Sequence, residues 1–272
     1  MSEVWIAGRL VPTGAAVVPY DDHGITVGDG VFETVKLADG TPFHLTRHLD
    51  RLRASAASMS IPWPGDDELR LAVGAVAAGH DGAEGAFLRI TLTAGRGPLG
   101  TPRGELSPTL IVAIRPGRVR VEPTDVVVVP WPRNEHGALA GVKSTSYGEN
   151  VVALVAAARR GADEALFANT AGNLCEGTGS NVFVGFGDRL LTPPLSSGCL
   201  AGVTRALLLE AGVGTEDDIP IGQLGSAGEV FLASTGREVQ PVRRIDGVEL
   251  PGCPGPLTRH AREVWVRQIV GA

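Results

Sequence analysis

Lysine, tyrosine and excess positive charge are all scarce in this sequence. Of its 24 basic residues only Lys36 and Lys143 are lysine, and Tyr20 and Tyr147 are its two tyrosines. A formal net charge of -6 without a basic tract argues against nucleic acid or an anionic membrane as a partner. No apolar run approaches the roughly 20 residues that a membrane-spanning helix requires. The remaining composition is that of an ordinary soluble globular protein.

Cysteine is also rare, and the cysteines are scattered at positions 175, 199 and 253. An odd number without paired spacing indicates neither a disulfide framework nor a zinc site, and a reducing, cytoplasmic compartment fits best. His44 and His48 are four residues apart but lack the glutamate of the zinc-binding H-E-x-x-H motif, so no metal site is expected. The first ten residues lack the basic region and apolar stretch that mark a signal peptide.

The rarity of lysine makes Lys143 a candidate nucleophile. Arginine stays protonated, whereas a desolvated lysine can lose its proton and attack a carbonyl carbon. Lys143 follows Gly141 in a small, polar segment, and the rare Tyr147 follows four residues later. Nucleophilic chemistry would require the lysine pKa to fall from about 10.4, through burial or nearby positive charge. Composition alone leaves open that both lysines are solvated surface charges.

The order of apolar segments and turn signals predicts two α+β domains, residues 1–117 and 124–272, joined by a linker over 115–123. Asp39-Gly40 predicts a hairpin between strands at 31–37 and 41–45. Thr46 is expected to cap the next helix. Further strands are expected at 87–93, 109–114, 126–129, 165–168, 181–184, 189–191, 229–233 and 239–243, and helices at about 66–78, 149–160, 203–211 and 257–270.

Several other segments offer groups that bind anions or polar ligands. Glu176 is expected in a glycine-rich turn that can face a cleft. The helix starting at Val203-Thr204 follows Gly202, and free backbone N–H groups at such a start bind anions. Arg51 can clamp a phosphate with two parallel hydrogen bonds. The segment 234–237 offers hydroxyl and N–H groups at a strand end. Taken alone, each is also what an ordinary turn, helix start or solvated charge looks like.

Five stretches, in this order and spacing, resemble the class IV, fold-type IV, pyridoxal-5′-phosphate (PLP) enzymes. They are G-D-G-x-F-E-T at 28–34, H-x-x-R-L at 48–52, Lys143, E-G-x-G-x-N-x-F at 176–183 and G-V-T-R at 202–205. The family includes D-amino-acid and branched-chain aminotransferases, R-selective amine transaminases and aminodeoxychorismate lyases. The resemblance covers nearly the whole chain. It implies a two-domain α+β fold like that of D-amino-acid aminotransferase, and a homodimer with active sites near the subunit interface.

The resemblance also implies a role for each matching residue. Lys143 would hold the cofactor as a Schiff base and carry the substrate proton, and Glu176 would keep the pyridine nitrogen protonated. Tyr147 would hydrogen-bond the phenolic oxygen of the cofactor. The remaining roles are phosphate binding by Arg51 and the backbone of Val203 and Thr204, a position near the phosphate and the substrate carboxylate for Thr235 and Gly236, and lining of the substrate pocket by Phe32.

Within this family the sequence favours a transaminase that moves an amino group between an amino acid or amine and a 2-oxo acid. A D-amino acid or an R-amine is a candidate donor, although Phe32 replaces the tyrosine usual in D-amino-acid aminotransferases. Arg96 or Arg103 is a candidate for binding the substrate carboxylate, and each is equally typical of a solvent-facing loop. Two alternatives remain: a 4-amino-4-deoxychorismate lyase that releases pyruvate and 4-aminobenzoate, which Thr34 after Glu33 resembles, and a branched-chain amino acid aminotransferase.

Two hypotheses lie outside these activities. A regulator that binds PLP without turnover would keep the phosphate site but lack a competent lysine, so Lys143, Glu176 and Tyr147 together argue against it. An unrelated α+β hydrolase would need a nucleophile and base, and no such motif occurs in the sequence.

Overall fold

The computed structural model describes residues 3–80 and 85–271, which form two compact units. The first unit comprises Met1–Arg118 and Val142–Tyr147, and the second comprises Val119–Gly141 and Gly148–Ala272. Both units combine helices with largely antiparallel sheet, as the predicted α+β class requires. Among the described residues, no helix is long and apolar enough to cross a membrane.

The first unit is built on a sheet whose six described strands run in the order β2-β1-β6-β5-β3-β4. Its elements are β1 (Glu3–Ile6), β2 (Arg9–Pro12), α1 (His23–Thr26), β3 (Gly30–Ala38), β4 (Thr41–Pro42), α2 (Leu45–Ser58), α3 (Asp66–Ala78), β5 (Ala86–Thr93) and β6 (Thr109–Pro116), with a 3₁₀ turn at Thr13–Ala15. A buried apolar core between this sheet and its helices includes Val31, Val35, Leu49, Leu52 and Leu69.

Of two local predictions in this unit, the hairpin turn at Asp39-Gly40 is observed and the helix cap at Thr46 is not. Asp39 and Gly40 both have positive φ, so the predicted hairpin turn joins β3 to β4. The predicted cap of α2 is wrong, because the N-cap residue is His44 in the left-handed region and Thr46 lies inside the first turn. The Thr46 hydroxyl accepts a hydrogen bond from Arg70 instead.

The segment that contains Lys143 packs within the first unit, although the sequence predicts it in the second domain, 124–272. The Phe32 N–H donates to the Lys143 carbonyl at 2.9 Å, and the Thr145 N–H donates to the Gly30 carbonyl at 2.7 Å. Gly28 is required nearby, because its φ is +71° and a Cβ there would lie 2.6 Å from the Ser146 hydroxyl. Backbone pairing to β3 therefore fixes the position of the lysine.

The second unit contains a larger sheet, with the described order β12-β11-β10-β13-β14-β7-β8-β9 and β15 paired to β14. Its elements are β7 (Thr124–Val128), α4 (Gly148–Arg159), β8 (Glu164–Ala168), β9 (Leu174–Gly177), β10 (Asn181–Phe186), β11 (Arg189–Thr192), α5 (Val203–Glu210), β12 (Thr215–Glu216), β13 (Glu229–Ser234), β14 (Glu238–Ile245), β15 (Val248–Glu249) and α6 (Pro256–Val264), with 3₁₀ turns at Leu195–Ser197 and Ile221–Ser226 and a π-helical turn at Trp265–Val270.

Glu176 lies on a strand and not in the turn that the glycine-rich sequence predicts. β9 pairs with β8, and Phe167 stands opposite Glu176. The turn begins only after Gly177, where the Gly177 N–H donates to the Ser180 carbonyl. Short strands of mixed composition such as Leu174–Gly177 have no alternation from which to be recognised.

Candidate active site

Lys143, Phe32 and Tyr147 lie together in the first unit. The Lys143 Nζ is 4.4 Å from the centre of the Phe32 ring and 5.8 Å from the centre of the Tyr147 ring. The two rings meet edge to face with centroids 5.1 Å apart. Behind them, the Lys143 backbone N–H donates to the hydroxyl of buried Ser55 on α2 at 3.3 Å. The structure thus places an amine, a phenol and an aromatic surface next to one another beside the strand β3.

Arg89 on β5 belongs to the same cluster, and it was not predicted from the sequence. Its guanidinium carbon lies 3.3 Å from the centre of the Phe32 ring. Part of the side chain stays exposed, yet burial of the guanidinium lowers the pKa of Arg89 to about 10, against the opposing charges of Tyr147 and Glu33. The available signal was a single charged residue in the middle of the strand Ala86–Thr93.

Arg51, the predicted phosphate ligand, forms a bidentate ion pair with Glu33. The Arg51 Nε and Nη2 donate to the two Glu33 carboxylate oxygens at 2.7 and 2.8 Å, and His48 Nδ1 lies 2.7 Å from Glu33 Oε2. Burial alone would raise the pKa of Glu33. The charge of Arg51 and hydrogen bonds from His48 and Arg51 outweigh it and lower the pKa to about 2.

Arg96 and Arg103, the predicted ligands of a substrate carboxylate, each pair with a carboxylate of the first unit. Arg96 forms hydrogen bonds of 2.9 to 3.1 Å with Asp21, and Arg103 forms bonds of 2.5 and 2.6 Å with Asp29. Arg103 also donates to the Met59 carbonyl at 2.7 Å. The binding of a substrate by either arginine stays a prediction, and these contacts anchor the loop between β5 and β6.

Glu176, the predicted partner of the pyridine nitrogen, is held between a backbone donor and an arginine in the second unit. Its Oε2 accepts the Leu200 N–H at 3.0 Å, and Arg133 Nη2 lies 3.8 Å from its Oε1. Arg133 also donates to the Asn150 side-chain oxygen at 3.1 and 3.2 Å and stacks over the Phe167 ring at 4.3 Å. Arg133 was not recognised from the sequence, because its partners lie on three separate elements.

The start of α5 has the geometry expected of an anion site. Gly202 is the N-cap residue of α5. No side chain at the N-cap accepts a hydrogen bond from the N–H groups of the first turn. A Cβ on Gly202 would lie 1.9 Å from the Asn181 side-chain oxygen, so only glycine fits this turn. Val203 and Thr204 are both buried. Asn181 donates to the Leu200 carbonyl at 2.9 Å, which ties this turn to the residue that contacts Glu176.

Thr235 and Gly236 form the turn between β13 and β14. The Gly236 carbonyl accepts the Arg120 N–H at 2.9 Å, and the Arg237 N–H closes the turn onto Ser234. Because Asn181 pairs with Ala233 in the sheet, this turn follows the strand end beside Asn181. The second unit therefore gathers Glu176, the start of α5 and the 235–236 turn around Asn181.

Each unit, taken by itself, contains described residues that fit some of the chemical groups of PLP, a phosphorylated aromatic aldehyde with a ring nitrogen. The first unit offers the Lys143 amine, which can bond to an aldehyde carbon, beside the phenol of Tyr147. The second offers the Glu176 carboxylate for a protonated ring nitrogen and an uncapped helix start for a phosphate.

Residues 30–245 match the family model for amino-transferase class IV. The chain belongs to the class IV aminotransferases. It is 34% identical, over 90% of this chain and 88% of the relative, to a candidate branched-chain-amino-acid aminotransferase of Methanocaldococcus jannaschii. It is 30% identical to a D-alanine aminotransferase of Bacillus licheniformis, over 98% and 97% of the two chains. Its fold matches the branched-chain aminotransferase of Thermoproteus uzoniensis with norvaline at a TM-score of 0.91, with 30% identity and coverage of 99% and 95%.

These matches confirm the family, the α+β fold-type IV architecture and the enzyme class that the sequence motifs indicated. Class IV aminotransferases are PLP-dependent, and they act on amino groups of amino acids and on keto acids. The roles of individual residues in this chain remain predictions, which the geometry above makes testable.

Proposed function

We propose that this class IV aminotransferase is a transaminase that uses PLP bound to Lys143 to move an amino group between an amino acid or amine and a 2-oxo acid. The observation that carries the proposal is the cluster of the Lys143 amine on the Phe32 ring beside the Tyr147 phenol. Backbone bonds to β3 and to Ser55 hold the lysine in place, as a catalytic group requires.

PLP, when bound, supplies a protonated ring that stabilises negative charge at the carbon that loses its proton. With PLP bound, the Lys143 amine would serve as general base and general acid for the substrate proton. The Glu176 carboxylate would hold a proton at the ring nitrogen, and the Tyr147 hydroxyl would orient the phenolic oxygen. Arg51 of the first unit would hold the phosphate, and so would the N–H groups at Val203 and Thr204 of the second unit. Thr235 and Gly236 would bind near the phosphate and the substrate carboxylate.

Arg89 gives the substrate pocket a charge preference. Its guanidinium covers the Phe32 ring, whose side chain we assign to the pocket wall. A cation in a partly buried position binds a carboxylate more strongly than one in bulk water. We therefore infer that the donor or the acceptor carries a carboxylate near Phe32, as amino acids and 2-oxo acids do. An Arg89→Gln variant is expected to raise KM for a keto acid about tenfold or more, with a smaller effect on a neutral amine.

The two lysines of the chain allow a controlled test of Lys143. Borohydride treatment of the PLP-loaded enzyme should fix the cofactor to a peptide that contains Lys143, with loss of the visible absorbance band of bound PLP. Lys143→Arg should abolish both the fixation and turnover, because arginine cannot form the bond. Lys36→Arg is the matched control and should behave as wild type, because Lys36 stacks on Phe43 outside the cluster. Fixation to Lys36, or unchanged fixation in Lys143→Arg, would contradict the proposal.

Substrate assays separate the transaminase from the lyase. Branched-chain L-amino acids, D-alanine and R-amines should be offered with a 2-oxo acid acceptor, since the relatives are named for branched-chain and D-alanine substrates. Amino transfer that depends on the 2-oxo acid is expected. Release of pyruvate from aminodeoxychorismate without any acceptor, and no amino transfer, would contradict the transaminase assignment.

We also infer that the enzyme works as a homodimer. Helix α4 exposes Val151, Val152, Leu154 and Val155, each by more than two fifths of its surface. A contiguous apolar face of this kind marks a protein interface. Val152→Glu is expected to shift the sedimentation coefficient to that of a monomer, whereas Val248→Glu, an exposed valine of β15, should not. A wild-type monomer at micromolar concentration would exclude this inference.

A further inference from the structure

Glu33 stands at a position where the fold otherwise places apolar side chains. Alternate residues of β3 share one face, and on this face Val31, Glu33 and Val35 are each 0% exposed, with Leu37 also buried. Removing a carboxylate from water is unfavourable, and well-packed apolar residues often replace such buried ion pairs at no loss of stability. Stability alone therefore does not explain a charged residue here.

The main partner of the Glu33 carboxylate is the guanidinium of Arg51. Both carboxylate oxygens are engaged by Arg51, and His48 and the Thr34 N–H, at 3.3 Å, contact Oε2. A bidentate pair fixes the plane of the guanidinium as well as its distance. The Arg51 side chain is nevertheless 13% exposed, so it is not sealed within the core as Glu33 is.

Arg51 lies on the stripe of α2 that contacts the lysine segment. His48, Arg51 and Ser55 are spaced by three and four residues, which places them on one face of the helix. Ser55 accepts the backbone N–H of Lys143, so Arg51 is one helical turn, about 5.4 Å, from the residue that holds the lysine backbone. Glu33 therefore orients an arginine that lies next to the proposed catalytic lysine.

Resting on the proposed function, we propose that Glu33 is a positioning residue for cofactor binding: it holds the Arg51 guanidinium, supported by His48, in the orientation that receives the phosphate of PLP. An unheld arginine loses side-chain rotamer entropy when it binds, whereas a held one binds without that cost. Glu33 itself touches neither substrate nor cofactor in this assignment.

The test compares PLP with pyridoxal, which lacks the phosphate, on enzyme freed of its cofactor. Glu33→Gln keeps the size of the side chain but removes its charge. It should weaken PLP binding about tenfold or more, which corresponds to about 1.4 kcal/mol, while pyridoxal binding changes less than about twofold. The ³¹P resonance of bound PLP should also broaden or shift. A structural role alone would weaken both ligands equally, and that result, or no change in either, would overturn the proposal.

Two histidine variants keep the test decisive if Glu33→Gln does not fold. His48→Leu removes one contact to Glu33 and leaves the bidentate pair, so the preference for PLP over pyridoxal should fall part of the way. His48→Asn places an N–H near the original Nδ1 and should restore it. Arg53→Ala, two residues along α2 with an exposed partner in Asp66, should leave the preference unchanged. An unchanged preference in His48→Leu would overturn the proposal.

Failure of this inference is distinguishable from failure of the proposed function. If wild-type enzyme does not bind PLP at Lys143, the proposed function is wrong whatever the Glu33 variant does. If wild type binds PLP at Lys143 and Glu33→Gln keeps the same preference for PLP over pyridoxal, only the positioning role is wrong.

Discussion

Two buried carboxylates, one in each unit, are stabilised by different sets of hydrogen-bond donors. Glu33 in β3 and Glu164 in β8 are 0% and 1% exposed, and each pairs with an arginine. Glu33 receives most of its hydrogen bonds from side chains of a separate helix. Glu164 receives bonds from the backbone of Ala165 and Thr178, from the hydroxyls of Thr178 and Ser180, and from Arg237 at 3.1 Å.

The difference indicates what each carboxylate holds in place. The partners of Glu164 are mostly in the turn at residues 178–180, directly after Glu176, so its charge fixes a segment of backbone. The main partners of Glu33 are two ionisable side chains, Arg51 and His48, so its charge fixes the orientation of side chains. Loss of the Glu164 carboxylate should therefore loosen the turn at residues 178–180. Loss of Arg51 should leave the charge of Glu33 without its partner in the core.

The largest effect is expected when Arg51 is removed. Arg51→Ala leaves the Glu33 carboxylate buried without its counter-charge, which typically costs about 3–5 kcal/mol in free energy of unfolding. Urea denaturation followed by circular dichroism measures this cost. Arg53→Ala is the control on the same helix, because its partner Asp66 is exposed and such pairs contribute little. Equal effects of the two variants would show that Glu33 is not held as an ion in the core.

Acid should remove nearly as much stability through Glu33. Its pKa is about 2 in the folded state against an ordinary 4.5, so the unfolded state binds the proton more readily. The stabilisation is complete above pH 4.5 and is lost as the pH falls from 4.5 to about 2, and it amounts to roughly 3 kcal/mol. The difference in unfolding free energy between wild type and Glu33→Gln should shrink across this window. A constant difference would exclude the assignment of this pH dependence to Glu33.

Around Glu33 and Arg51, the sequence predicted the structure only where the signal lay within a few neighbouring residues. The Asp39-Gly40 turn, the spacing H-x-x-R-L and the family motifs all act within a few residues, and each led to the correct element or family. The pair between Glu33 and Arg51 joins residues 18 apart on different elements. On its own, Glu33 looked like a polar residue in a motif, because nothing local shows that its side of β3 faces the core.

One physical reason explains both why the ion pairs of Arg96 and Arg103 were not predicted and why Arg89 was missed. Arg96 and Arg103 meet Asp21 and Asp29 about 75 residues away in sequence, so their pairing depends on how the sheet of the first unit closes. Arg89 became a candidate only when β3 and β5 paired and placed it on Phe32. Charge and spacing identify residues able to do chemistry, whereas tertiary pairing decides which of them are engaged.

A moderate effect is expected at Glu164. Glu164→Gln keeps the side-chain volume but turns an acceptor into an amide group facing several donors, at a cost of about 1–3 kcal/mol. Arg237 keeps a hydrogen bond to Gln240, which limits the loss. Hydrogen exchange should accelerate at the N–H groups of Ala165 and Thr178 and stay unchanged along α2. Acceleration along α2 would contradict the separation of the two networks.

The smallest effect should come from Ser180→Ala, and it tests whether the Glu164 network is distributed. The Ser180 hydroxyl donates one hydrogen bond of 3.2 Å to a carboxylate that retains Thr178 and Arg237, so about 1 kcal/mol or less of unfolding free energy should be lost. His48→Leu removes a 2.7 Å contact from Glu33, whose only other charged partner among the described residues is Arg51, so its cost should be larger. Urea denaturation of both variants under identical conditions gives the ratio. If Ser180→Ala costs as much as His48→Leu, the two carboxylates are held in the same way, and the distinction between a charge that fixes backbone and a charge that orients an arginine does not hold.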